Sequence, residues 1–271
     1  MIELLQYTFF QNALVACVLT GIVCGLCGTY IVARRMVFMA GGIAHTALGG
    51  VGICALCGLP PLMGAAAATL LTGWGIQGLS ARREVRQDSA IAMLWALGMS
   101  VGIMCSYLSP TFLPNLSSYL FGNVLLLNSF DLWALGALAL VAVAVFAGCL
   151  PQIASVSFDP EFARAQKQPV RFINRLMISL VALCIVCTLK VSGVVLVISL
   201  LSVPQMTANL FCRRFGEMAV WSAVIAVAGC LAGLMVSVWL NVPCGAMVVA
   251  AVIMVYAMCR AIKHLFFSYK V

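Results

Sequence analysis

Apolar residues run almost unbroken along this chain. Short clusters of basic and turn-forming residues punctuate them at intervals close to one membrane crossing. The runs cover about 10–33, 41–58, 61–79, 90–108, 131–150, 173–190, 192–210, 218–240 and 243–262. Each approaches the ~20 residues a helix needs to cross the hydrocarbon core. Barrel strands would alternate apolar and polar positions, and these runs do not. In lipid, only helices or closed barrels satisfy every backbone polar group. The pattern therefore predicts an all-α polytopic membrane protein. It has about nine transmembrane helices, eight to nine because the divide Thr188–Gly193 is so short. The first run exceeds the apolar region of a signal peptide and follows no basic segment, so it reads as a permanent span. The chain, 1–271, reads as one transmembrane domain.

Two segments depart from simple crossing. Residues 109–130 are broken by Pro110, Pro114 and Gly122, and 116–127 is too short to span. It is expected to be a re-entrant or interfacial helix, which a membrane protein tolerates when it is buried in protein. Residues 151–172 form the longest hydrophilic stretch. Glycines recur four apart at Gly21 and Gly25, Gly98 and Gly102, and Gly229 and Gly233. That spacing lets helices pack closely.

The basic residues orient the chain. Every Lys and Arg except Lys190 follows an odd-numbered span. The positive-inside rule places these clusters in the cytoplasm, with the N-terminus outside and the C-terminus inside. The net charge of +8 is thus a topology signal rather than a nucleic-acid footprint. Composition agrees, at 64% apolar and only 8% charged, far from a soluble domain. Most of the thirteen cysteines lie within apolar runs. Cys54 with Cys57, Cys184 with Cys187, and Cys24 with Cys27 have C-x-x-C spacing, but there they read as soft packing residues. No structural disulfide is expected.

His45 is the one histidine inside an apolar stretch, and no Asp or Glu lies deep in a span. An ionisable group at bilayer depth is costly, so it marks a functional site by default. Neutral imidazole is also a common ligand for transition metals. In a helix, Gly41, His45 and Gly49 share one face, which leaves space beside the ring. A metal-ion pathway and a histidine that fixes packing are both consistent with this pattern. The segment Ser155–Lys167 reads as a short capped helix. Ser157 or Asp159 caps it, Pro160 fits its first turn, and Phe158 and Phe162 form apolar knobs. Such knobs suit a partner's groove, and the alternative is a helix flat on the membrane. Pro204 removes an i→i−4 bond and is expected to kink the seventh span. Ser199, Ser202, Gln205, Thr207 and Asn209 make that span a candidate pathway wall. No G-x-x-x-x-G-K-[ST] phosphate loop occurs, so any ATPase must be another chain.

Four stretches together resemble the permease subunits of the zinc/manganese/iron ABC importer family. They are Arg34-Arg35-Met36 followed by Ala44-His45-Thr46-Ala47, then Tyr119–Leu125, Ser157–Ala163, and Gly193–Pro204. The resemblance implies a single permease domain in a bacterial cell membrane that acts as a homodimer. Its other partners would be ATP-binding ABC subunits, an external solute-binding protein and the lipid bilayer, with no nucleic acid. It implies that Ser157, Phe158, Asp159, Pro160, Glu161, Phe162 and Ala163 form the cytoplasmic coupling helix, and that His45 meets the ion. The cargo would be zinc, manganese or iron, with no cofactor in this chain and ATP held by the partner subunit. Such a chain is not itself an enzyme. The family typically carries Gly-Asp-Ala-x-Ser-His-Ala at the first stretch. Its Asp position is Gly41 here, so only His45 carries over. The rival readings are an ABC permease for metal chelates of the siderophore or cobalamin type, and an ion-coupled secondary transporter. The lack of intramembrane carboxylates argues against the latter.

Overall fold

The computed structural model describes residues 6–81, 86–109, 122, 124 and 127–267. The expected helix at 116–127 falls almost wholly outside them. The described residues form helices and no strand. In chain order these are α1 (Thr8–Ala33), α2 (Val37–Leu56), α3 (Pro61–Ala81), α4 (Gln87–Leu108) and α5 (Ser129–Phe158). There follow α6 (Pro160–Ala165), α7 (Val170–Leu200), α8 (Val203–Ala208), α9 (Phe215–Leu240) and α10 (Cys244–Phe267).

Seven helical segments among the described residues are long and apolar enough to cross a membrane, against the nine spans that hydropathy predicts. Two differences account for the gap. The helix α3 forms over the expected 61–79, but Gln77, its threonines and its glycines dilute its hydropathy, and it is not among the seven. The expected spans 173–190 and 192–210 merge into one 39-residue segment, Val170–Ala208. A straight helix of that length would measure ~58 Å, against ~30 Å of hydrocarbon. The chain breaks instead at Gly193, where φ is 71° and ψ 168°. That region is essentially open to glycine alone. Gly122, also at positive φ, lies directly against the backbone of Ser192 and Gly193.

The helix ends sort into two groups. At one end, Arg34 donates through Nη1 to the Val156 carbonyl at 3.1 Å. The rings of Phe158 and Phe215 meet edge to face there, centroids 6.0 Å apart. Lys263 donates to the carbonyl of Leu210, five residues before Phe215, at 2.6 Å. At the other end, Lys190 Nζ pairs with Asp131 Oδ1 at 2.8 Å, and Ser109 donates to the Ala55 carbonyl at 3.4 Å. The chain therefore reverses between Lys190 and Leu210, around the break at Gly193.

Burial separates inner from outer helices. In α1, α2 and the Val170–Ala208 segment, 72% of the apolar window is buried; in α4 and α10 only 17% is. The outer helices still present Met93, Leu97, Leu140 and Met254 outwards. A helix apolar all round with one side unburied suits lipid. The glycine pairs set the inner contacts. Gly21 and Gly25 lie against the backbone of Val227 and Ala223 on α9. Gly98 and Gly102 press on Thr46, Leu48 and Gly49 of α2, and Gly229 and Gly233 on Val252 and Val248 of α10. Without a Cβ, each pair of backbones comes into direct contact.

Candidate functional site

His45 sits at the middle of α2, half-buried against α4. Its ring stacks on Trp95, with centroids 4.2 Å apart and planes 11° apart. Its Nδ1 lies 3.2 Å from the sulfur of Met99, one turn further along α4. A thioether carries no proton, so in this contact the imidazole is the donor. Nδ1 then holds the proton and Nε2 keeps its lone pair for a ligand. Phe38 extends the aromatic contact, its ring centroid 5.9 Å from that of Trp95.

The space that glycine spacing suggests beside the ring is partly occupied. A side chain at Gly49 would run into the carbonyl of Gly98, so α4 fills that side. At Gly41, where the resemblance leads one to expect Asp, an added Cβ would meet Ile198 Cδ1 at 3.6 Å and nothing else described within 4 Å. One turn from His45 the wall is therefore open enough for ordinary packing. Among the described residues, no three of His, Cys, Asp and Glu gather into a set able to hold a metal. Against His45 itself, the described neighbour that brings a donor atom is Met99, a soft thioether. Met99 is the partner that sequence left unidentified; an i, i+4 pair of Trp and Met on a facing span was its only signal.

The second candidate segment divides in two. Ser157 and Phe158 end α5, which runs through Pro151 instead of stopping at residue 150. Ser157 is no cap; its Oγ donates to the Ile153 carbonyl at 2.6 Å. The cap is Asp159, whose Oδ1 accepts from the N–H of Glu161 at 3.0 Å and of Phe162 at 2.9 Å. Pro160 opens α6, as its fixed φ favours. The helix is six residues long and ends at Ala165; two residues further on, Lys167 has a left-handed φ of 59°. Ala163 is buried, while Phe158 and Phe162 are 68% and 56% exposed. Two aromatic side chains thus project from a capped, solvent-facing turn.

Pro204 stands in the first turn of α8, after the preceding helix has ended at Leu200. It does not bend a continuous span, so the kink expected there is a full break. The residue without an N–H leaves the Leu200 carbonyl free. Gln205 answers this: its Nε2 donates to Leu200 at 3.2 Å and to the Cys24 carbonyl of α1 at 2.9 Å. The side chain of Gln205 is fully buried and Met206 faces outwards. The polar stripe of this segment therefore serves helix packing at least at Gln205.

All thirteen cysteines are free thiols. Cys24 and Cys184 approach to 3.7 Å between sulfurs, pairing α1 with α7. The ion pair of Lys190 with Asp131 escaped the sequence reading, because Asp131 stands at a span edge and its partner is fifty-nine residues away.

Comparison with known proteins covers nearly the whole chain. The model of the ABC 3 transport family matches residues 6–263. An uncharacterised membrane protein of Synechocystis is 32% identical over 264 residues, covering 97% of this chain and 94% of that one. A manganese transport system membrane protein, MntC, of Halalkalibacterium halodurans is 32% identical over 256 residues, with 94% and 88% covered. Among solved structures, PsaBC from Streptococcus pneumoniae in complex with Fab superposes with a TM-score of 0.85 at 26% identity. That match covers 96% of this chain and 95% of that one.

Proposed function

This chain belongs to the ABC 3 transport family, and from that premise we propose that it is the permease of an ATP-driven importer of a divalent transition metal ion. The substrate is zinc, manganese or iron, delivered by an external binding protein. The carrying observation is the His45–Met99 pair between α2 and α4, which presents an imidazole and a thioether inside a membrane bundle. Manganese leads the candidates because the relatives named above include a manganese transport protein.

The rest of the mechanism follows from the placement of the groups. Two copies of the chain face each other across the pathway, so each His45 gains a second donor set that one copy does not close. The end of the bundle with Arg34, Phe158 and Lys263 faces the cytoplasm, as its basic residues favour. Counting α3 as a span and the two arms about Gly193 separately gives nine crossings, with the N-terminus outside. Ser157–Ala163 is the coupling segment, and Phe158 and Phe162 enter a groove on the ATPase subunit, which binds ATP. The permease itself makes and breaks no covalent bond. It binds the dehydrated ion, holds it away from water and changes the side to which it opens.

Uptake of radiolabelled manganese, zinc and iron by cells carrying this chain with its co-encoded ATPase and binding protein tests the reading. Saturable uptake of one ion is expected, with loss in His45→Ala at normal membrane insertion. Uptake unchanged in that variant would remove His45 from the path. Uptake of a chelate in place of any bare ion would favour the chelate-permease rival.

A further inference from the structure

Val156 O lies in the last turn of α5. Its helical partner would be the N–H of residue 160, and Pro160 has none. The Asp159 N–H does not replace it, because it donates to the Ser155 carbonyl at 3.0 Å. The orphaned acceptor finds its donor in the α1–α2 turn: Arg34 Nη1 donates to it at 3.1 Å. A guanidinium donor makes this a charge-assisted bond, stronger than a neutral one.

Both ends of that bond are held firmly. Arg34 follows the last residue of α1 and precedes α2 by three residues. The turn is closed by its own N–H on the Tyr30 carbonyl at 3.0 Å and by the Met36 N–H on the Ile31 carbonyl at 2.8 Å. Tyr30 is buried and donates to Asn174 Oδ1 of α7 at 3.1 Å. On the other side, Asp159 caps α6 within three residues of Val156. One side chain therefore joins the root of α6 to the turn that feeds the His45 helix.

We propose that Arg34 is a positioning residue that carries the displacement of α6 to α2, and so to His45. The inference rests on the reading of α6 as the ATPase-docking helix. A stiff bond across the gap moves the α1–α2 turn whenever the ATPase moves α6. Without it, α6 swings on the Asp159 hinge alone and α2 lags. Lysine at this position keeps a charged donor on a flexible stem, so it restores part of the linkage.

The test uses the whole complex, permease with its co-encoded ATPase and binding protein, in proteoliposomes with radiolabelled manganese. Three readouts are taken for wild type, Arg34→Gln and Arg34→Lys: ATPase co-purified, basal and binding-protein-stimulated hydrolysis, and manganese uptake. Arg34→Gln is expected to keep its ATPase and its basal hydrolysis. Its stimulated hydrolysis and uptake should fall about tenfold or more, the scale of one hydrogen bond to a charged group. Arg34→Lys should recover part of both. Wild-type uptake and stimulation in Arg34→Gln would overturn the inference. Loss of the ATPase from that complex would overturn it too, since Arg34 would then hold the docking surface and not transmit through it. Absence of manganese uptake by the wild type would overturn the importer reading for that ion alone, and stimulated hydrolysis in the three proteins would still decide the role of Arg34: equal stimulation in wild type and Arg34→Gln overturns it.

Discussion

At the scale of single residues, the site depends on what stands beside His45. Its ring is fixed from one side by Trp95 and from another by the Met99 sulfur, so little freedom remains at the imidazole. A thioether in that position accepts from Nδ1–H and so orients the ring, with the Nε2 lone pair turned away from it. Met99→Leu nearly conserves volume and removes the sulfur, a swap that usually costs under ~1.5 kcal/mol of stability. Expression and assembly should be normal while metal uptake drops several-fold. Uptake kinetics measured beside a thermal unfolding scan distinguish this from simple loss of packing. The histidine itself stands out in the sequence, because a titratable ring in an apolar run has few bland explanations. Its partners do not, since Trp and Met are ordinary residues in any span.

At the scale of elements, the informative feature is how helices stop. Asp159 ends α5 and starts α6, and both N–H groups it accepts belong to the first turn of α6. Asp159→Ala should destabilise that turn by about 1 kcal/mol, the ordinary cost of a lost N-cap, seen as faster amide exchange over Glu161–Ala165. Phe162→Asp leaves the turn intact and places a carboxylate where an apolar groove is expected to receive a ring. Under the coupling reading, the ATPase should no longer co-purify. Retention of the ATPase with normal uptake would remove Phe162 from the interface. Gly193 stops a helix differently, through a backbone conformation that other residues resist. Gly193→Ala should cost on the order of 1–3 kcal/mol, lowering the melting midpoint of the detergent-solubilised protein.

At the scale of the whole molecule, an ion pair between α5 and α7 and close glycine contacts between helices tie the described bundle together. Asp131 is 7% exposed and Lys190 40% exposed, so the two sides of the pair are unequal. Removing the lysine leaves a buried carboxylate that, among the described residues, keeps the Asn128 N–H at 3.2 Å. Removing the aspartate leaves an ammonium that water already reaches. Lys190→Gln should therefore destabilise by up to ~3 kcal/mol, and Asp131→Asn by roughly 1 kcal/mol or less. Melting midpoints of the two variants in one detergent test the order, and the reverse order would show that the pair is open to water on both sides.

Several features were decided locally and can be read along the chain. Lipid offers no hydrogen bonds, so long apolar runs must become helices, and basic clusters mark where the chain leaves the membrane. The Asp-Pro step that caps α6 and the glycines four apart are likewise local signals, since each needs only its own neighbours to act. Tertiary structure decided the rest, because it depends on residues far apart. Hydropathy separates 173–190 from 192–210, yet whether the chain turns there rests on Gly193 taking a positive φ with Gly122 packed against it. The span at 61–79 is diluted by polar residues, and it is helical because α2 and α7 shelter it, as the close Gly50–Gly64 and Gly73–Ile178 contacts show. Arg34 on Val156, Lys190 on Asp131 and Met99 on His45 join positions more than fifty residues apart. No periodicity encodes such pairs, because side-chain chemistry permits many partners and only the packing of helices selects one.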